Sequence, residues 1–432
     1  MTTLPISPVE FPALPEYTAM VELLNPNNLA SMGMYQFSTI EATLLYNAVG
    51  SYSIQLPYSD AVWATMMSGD FIVRVNWRGL FTFGGKCETP TYSDSLPGST
   101  GGSGSSSGGG AGQFITLNGA DYLAIIANKI CYPDPTVAWS AQKPGNQAVV
   151  ISGPLETAIK YYVKNNVGPN ALATRKHPLL DIAVDQGRGP AVNYSVNFTS
   201  GQSLNLMDVI RALIAQAYGA AGVGMGIQIK QNGSRLLFDV YLVPDKTATV
   251  MFSEALGNLT SVSLSMTDPT CTDALVQGAN QMMKPDGVTP DPNGHSFISA
   301  SVTSTPWTKV EHYVGDTSES LPANLSTAAQ NALFDGTAGP SLATTTTDSP
   351  YLVFGHDYFI GDKVTVEVRP GVTYQDIISG ATLTIDPKQA PVVNVVPTIG
   401  VSNNAITADK TVVGQLSARI KAIEKKLATQ GR

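Results

Sequence analysis

Charge is scarce in this chain of 432 residues: Asp, Glu, Lys and Arg make up 13% of it, against about 25% in an ordinary soluble protein. Since 43% of the residues are hydrophobic, the scarcity excludes disorder, because a chain kept open by self-repulsion needs charge and little apolar surface. Cysteine is nearly absent as well. Cys87, Cys131 and Cys271 are odd in number, far apart and without a CxxC pair, which argues against a disulfide framework and a zinc site and fits synthesis in a reducing cytosol. The histidines, His177, His295, His312 and His356, show neither HxxxH nor HExxH spacing, so no ligand set of a zinc hydrolase is visible. No stretch approaches the roughly 20 uninterrupted apolar residues of a bilayer span. The N-terminus, MTTLPISPVEF, lacks a basic start followed by an apolar core and is not expected to be a signal peptide. The 25 basic and 33 acidic side chains leave a net charge of −8, which repels phosphate backbones unless the basic residues cluster.

What is present reads mostly as strands, with length for about three domains of roughly 150 residues. Phe71 to Trp77 and Leu80 to Phe83 are β-branched and aromatic runs broken at Arg78-Gly79, a hairpin signature. Ile227 to Lys230 and Leu236 to Val243 flank Asn232-Gly233, a pair that tolerates the positive φ angles of a type I′ turn. A third hairpin is expected between Lys363 to Val368 and Thr382 to Ile385, through Pro370-Gly371 and a wider connection. Apolar residues at three-and-four spacing mark helices over Asp121 to Ile130, Leu155 to Lys164 and Leu206 to Tyr218. The run PGSTGGSGSSSGGGAG, residues 97–112, has neither charge nor bulk and reads as an extended hairpin tip within one domain. Met282 to His295 and Gly336 to Ser349 read as further exposed polar connections.

The C-terminal segment differs in kind. Val413, Leu416, Ile420, Ile423 and Leu427 are spaced three, four, three, four, the a/d seam of a coiled coil, and β-branched Ile at both positions favours three or more strands. Docking of this helix on its own domain is the alternative. Its basic residues, Lys410, Arg419, Lys421, Lys425, Lys426 and Arg432, form the chain's one basic patch and read as a solvated helix face.

Catalytic constellations are weak. Gly104-Ser105-Ser106-Ser107-Gly108 matches the nucleophile-elbow pattern but lies in the glycine run rather than at a strand-to-helix turn. Gly222, Gly224 and Gly226 follow a helix rather than a strand and lack the final glycine of a dinucleotide fingerprint. A glycosidase would need two of Glu311, Asp316 and Glu319 flanking a cleft, with Trp307 and Tyr313 as sugar-holding aromatics; acids in a turn before a helix are ordinarily caps and surface charges. Asp362 reads as a turn aspartate rather than a metal ligand. No catalytic residue, cofactor or metal is expected.

Six phrases in order carry a resemblance: NAVGSYSIQLP (Asn47 to Pro57), NGADYLAIIANKICYPDP (Asn118 to Pro135), NNVGPNALATRKHPLL (Asn165 to Leu180), MFSEALGNLTSVSLSMTDPTCTDALVQG (Met251 to Gly278), VEHYVGDTSE (Val310 to Glu319) and GHDYFIGDKVTV (Gly355 to Val366). Together, over about residues 15 to 400, the chain resembles the hub family of minor tail proteins of long, non-contractile-tailed phages (siphoviruses), especially of actinobacteria, similar to baseplate hub proteins. The resemblance implies an α+β, mainly β fold: two tail-tube-like β-barrel domains, inserted helical or mixed regions and a C-terminal coiled-coil helix. In it, Asn47 to Pro57 pairs with the Phe71 to Phe83 hairpin.

The division that follows is 1–140, a β-rich hub domain with the loop 97–112; 141–250, a mixed middle domain; 251–400, a second β-rich domain; and 409–432, the coil. It further implies a virion tail-tip protein, synthesised in the host cytoplasm, without enzymatic activity or a membrane span. Three chains form a ring that closes and extends the tail tube and gates DNA. Partners are the distal tail protein and tail tube above, the tape measure protein in the lumen, and other minor tail proteins or a central fibre below, genomic DNA passing without specific binding. The competing classes are a cell-wall hydrolase, for which about 30 residues beyond the hub-like region are too few, and a receptor-binding adhesin, which the Ser/Thr/Asn-rich strands would suit.

Overall fold

The computed structural model describes residues 19–94, 113–142, 151–194, 205–221, 223–284, 289–315, 320, 322–335, 339–346, 351–387 and 393–400. In chain order, the first region holds β1 (Met20–Leu24), β2 (Ser31–Tyr35), β3 (Thr39–Leu45), β4 (Ser51–Pro57), α1 (Asp60–Met67), β5 (Ile72–Trp77), β6 (Phe81–Asp94), β7 (Gln113–Ala120) and α2 (Ala124–Ala127). Next come β8 (Ile151–Pro154), α3 (Leu155–Asn166), β9 (Leu180–Ile182), β10 (Ala191–Tyr194), α4 (Leu206–Ala221), β11 (Met225–Asn232) and β12 (Arg235–Leu242). The last region holds β13 (Met251–Phe252), β14 (Leu259–Thr267), β15 (Asp273–Gln277), β16 (Phe297–Ser301), β17 (Glu311–Gly315), α5 (Pro322–Asp335), β18 (Gly339–Thr346), β19 (Lys363–Arg369), β20 (Val372–Ile385) and β21 (Val393–Ile399). Strands far outnumber helices among the described residues, so the expected mainly β class holds.

One sheet organises the molecule, eleven strands in the order β13-β19-β20-β3-β4-β7-β6-β5-β1-β2 with β21 branching from β20. Two separate closed barrels were expected; the described residues show no closed barrel, and strands from residues 1–140 and 251–400 share this sheet. They also share one core, in which Val21, Ile54, Trp77 and Leu117 meet Phe252, Val366 and Leu383. Long-range pairing overrides chain order here: β20 runs antiparallel to β3, Thr384 opposite Glu41. The implied pairing of Asn47 to Pro57 with the Phe71 to Phe83 hairpin is also not seen, because β4 pairs with β3 and β7 instead.

The sheet turns its corners within its two longest strands. Residues 81–86 of β6 pair with β5, and residues from Cys87 onward pair with β7. At that corner Gly84 has φ +157, and a Cβ there would lie 2.0 Å from the Val73 carbonyl oxygen; one on Gly85 would lie 2.0 Å from that of Ala120. β20 behaves alike: it pairs with β19 up to Ile377 and with β3 and β21 beyond Ile378. The third hairpin is therefore tighter than expected. Lys363–Arg369 turns at Pro370-Gly371 into Val372–Ile377, and Thr382 to Ile385 belongs to the next part of the sheet. An aromatic cluster packs between the outer segments, Phe81 meeting Phe354 and Phe359 edge to face at 5.5 and 5.1 Å.

The other two expected hairpins form. Arg78 and Gly79 take φ 53 and 70 between β5 and β6, and Gly233 takes φ 60 between β11 and β12. Asp94 pairs with Gln113, so the residues between join two paired strands, as expected of a hairpin tip, and 97–112 itself lies outside the described residues. The expected helix Asp121 to Ile130 shrinks to α2, while α3 and α4 extend past their expected ends. The polar Gly336 to Ser349 contains β18, whose Thr344 and Thr346 are buried beside β21. Threonine is at home on a pleated surface, so polarity alone misread that segment.

A second core lies among α3, α4 and the β11-β12-β9 sheet, with Ile159, Leu213 and Phe238 fully buried. Inside it Glu156 binds Lys160 at 2.6 Å and Arg188 at 2.9 Å, and Asp239 joins both cations at 2.9 and 3.1 Å. Burial by itself would raise the Glu156 carboxyl; hydrogen bonds from Arg188 and Lys160 overcome this and hold it at about 2. A third, small core joins α5 to β15, β16 and β17 through Val276, Leu325 and Ala329. No helix among the described residues is long and apolar enough to cross a membrane.

The β6 corner yields a stability test. Gly85→Ala forces a Cβ into backbone and should lower stability by about 2 kcal/mol or more, whereas Gly79→Ala, with open space at φ +70, should cost about 1 kcal/mol. Thermal denaturation ranks the two; an equal loss would remove the corner's special status.

Candidate functional site

The central strands of the large sheet have two faces of opposite chemistry. Ile40, Ala42 and Leu44 of β3, Tyr52, Ile54 and Leu56 of β4, and Ile115 and Leu117 of β7 point into the core. The alternate residues form rows on the other face, because side chains opposite one another across strands share a side. Asn394, Thr384, Glu41, Ser53, Asn118 and Thr89 make one row across β21, β20, β3, β4, β7 and β6. Thr39, Gln55, Thr116 and Thr91 make another, and Thr382, Thr43 and Ser51 a third. Glu41 is the sole ionisable side chain of these rows. Glu41 and Glu88 border a shallow hollow of about 380 Å³. This broad array of hydroxyls and amides is the candidate site, a surface rather than a pocket. Sequence reasoning missed it, although the alternation in TIEATLL and SYSIQLP carried the signal.

Buried polar groups fix the array's lower edge. The Asp121 carboxylate accepts Gly50 N and Leu123 N, each at 2.9 Å, joining the β3–β4 turn to the end of β7. Burial pushes its carboxyl up to about 7, the two backbone donors opposing the rise. Tyr52 donates to the Gly85 carbonyl at 3.1 Å, and burial raises its hydroxyl. Burial pushes the Cys87 thiol up to about 12, so it is an inert packing group. Beside the β3–β4 turn, Asn47 holds the mixed unit: its Nδ2 donates to Met225 O at 3.0 Å, its Oδ1 accepts Ile227 N at 2.9 Å, and its carbonyl accepts Arg211 Nε at 2.8 Å.

The residues weighed for chemistry stay apart. Glu311 is exposed on β17 and paired with Lys309 at 3.0 Å; Asp316 and Glu319 lie outside the described residues. Asp362 is buried, accepts Phe359 N at 2.8 Å and pairs with Lys246 at 2.9 Å, a turn aspartate as expected. His356 pairs with Asp357 at 2.8 Å. His177 is lowered by burial, then by Lys129 and Arg235. Among the described residues no three His, Cys, Asp or Glu could hold a metal. The Gly104-Ser-Ser-Ser-Gly108 pattern and the seam Val413, Leu416, Ile420, Ile423 and Leu427 lie outside the described residues.

Residues 20–401 match the family model described as Siphovirus ReqiPepy6 Gp37-like protein, and the chain belongs to that family. The expected siphovirus membership is thereby met. No curated protein matches the sequence. Similar solved structures include the 43 kDa tail protein of prophage MuSo2 from Shewanella oneidensis, 11% identical, covering 88% of this chain and 98% of that one at a TM-score of 0.48. A tail protein from Neisseria meningitidis MC58 is 10% identical over 91% and 99%, also at 0.48. Prophage tail protein gp18 from Listeria monocytogenes EGD-e is 13% identical over 94% and 99%, at 0.43.

Asp121 makes stability depend on pH. Its folded pKa is raised, so its contribution is full below about 4 and is lost as pH rises through about 7. Denaturant titrations from pH 4 to 8 should show a decline of about 2–4 kcal/mol assignable to it. Asp121→Asn should flatten that decline; an unchanged slope would refute the assignment.

Proposed function

We propose that the chain is a non-enzymatic, structural tail-tip protein whose polar sheet face lines a DNA passage. The observation that carries this reading is the two-faced sheet. A wall past which DNA slides needs an apolar back for rigidity and a front without clustered cations, since each cation would hold a phosphate. The hydroxyl and amide rows with Glu41 meet that requirement. Family membership supplies the context.

In this reading three copies form a ring that closes and extends the tail tube. The ring meets the distal tail protein and tube above, the tape measure protein within and minor tail proteins or a central fibre below, and it gates DNA. Residues 141–250 form a mixed unit beside the ring wall. Segment 409–432 knits the three C-termini through Val413, Leu416, Ile420, Ile423 and Leu427, whose spacing suits three strands.

Light scattering of the purified full chain should give three times the chain mass. The double substitution Leu416→Asp with Ile420→Asp should weaken the trimer while leaving the circular dichroism of the sheet unchanged. A stable monomer of the intact chain at micromolar concentration would overturn the ring.

A further inference from the structure

Between β14 and β18, which pair with each other, residues 271–335 form a small unit with its own core. One face of its β16-β15-β17 sheet packs on α5 through Val276 and Ile298; among the described residues no element packs on the other. On that other face Phe297, Leu275 and Tyr313 are 52%, 42% and 55% exposed. Polar groups share that face: Gln277 lies opposite Phe297, Asp273 opposite Glu311, and Tyr313, opposite Leu275, donates its hydroxyl to Gln277 Oε1. Beyond the Asp273 end, the loop from β16 to β17 carries Trp307, 96% exposed. The two ends of that loop are held by Thr272 N and Asp273 N donating to the Val310 carbonyl at 2.8 and 3.0 Å, and by Val302 N donating to that of Thr272 at 2.9 Å.

We infer that this face binds a neutral oligosaccharide. Exposed aromatic rings stack on the apolar C–H faces of pyranose rings, and carboxylate and amide groups beside them take the sugar hydroxyls. Size separates this occupant from a protein. Three five-residue strands present roughly 240 Å², whereas a stable protein pair needs about 800 Å² from each partner. Charge separates it from an anionic polymer: Asp273 and Glu311 are acidic, and the neighbouring cation, Lys309, is neutralised by Glu311 at 3.0 Å. The assignment stands apart from the ring.

The test applies the full chain to an array of immobilised neutral bacterial oligosaccharides, with polyol phosphates as the anionic arm, and measures the strongest binder by calorimetry. Neutral glycans should bind. Trp307→Ala and Tyr313→Ala should each weaken binding by about five- to tenfold, with mass unchanged in both and melting temperature unchanged in Trp307→Ala, whose side chain is 96% exposed. No neutral glycan bound, tighter binding to polyol phosphates, or full affinity in both variants would each overturn the assignment. A loss of self-association in either variant would do so too, assigning the face to contacts between copies.

Discussion

A sheet of eleven strands can enclose a core only if it bends, and here the bend is concentrated where two fourteen-residue strands change partners. In β6 the change falls between Lys86 and Cys87, next to Gly84-Gly85, where neighbouring backbone comes too close for any side chain. In β20 it falls at Ile377–Gly380, beyond which the same strand pairs with β3 and β21. Without these corners Phe81 could not face Phe354 and Phe359, and the outer segments would expose the apolar surface they now share. The central strands between the corners carry the polar rows.

The mixed unit is held to this sheet by polar contacts of defined geometry. Asn47, at φ 52, uses both side-chain ends and its carbonyl on Met225, Ile227 and Arg211, and Tyr46 adds a hydrogen bond to the Met225 carbonyl at 2.7 Å. Buried groups so placed are costly to separate, because each would lose its partner without regaining water. Within the unit, the Glu156 quartet follows the same rule: a buried carboxylate persists because two cations and two backbone donors surround it. The small unit on β15 to β17 has a slighter core and leaves Phe297, Trp307 and Tyr313 on the outside.

Local chemistry was legible in the sequence where a few neighbouring residues decide the outcome. Arg78-Gly79 and Asn232-Gly233 make their turns by their own φ preferences, and the stripe Val209, Ile210, Leu213 and Ile214 makes a buried helix face by periodicity. The strands around the glycine run likewise showed that 97–112 joins a hairpin. Misreadings arose where distant partners decide. Polar β18 looks like a connection until β14 and β21 cover it, and Asp121 to Ile130 has helical spacing but is held short by the edge of the sheet. The polar face was half legible: alternation within each strand is written in the sequence, but the rows exist only when six strands align.

The sequence by itself determined the mainly β class, two of the hairpins, helices α3 and α4 and the family, because periodicity, turn chemistry and ordered phrases are properties of contiguous residues. Only the tertiary structure decided that residues 1–140 and 251–400 build one open sheet instead of two barrels, that Glu41 stands among hydroxyls and amides, and that Phe297, Leu275 and Tyr313 share one face. The reason is that strand pairing is a contest among segments hundreds of residues apart. Its outcome depends on which edges the corners and the aromatic packing bring together, and no local window contains that information.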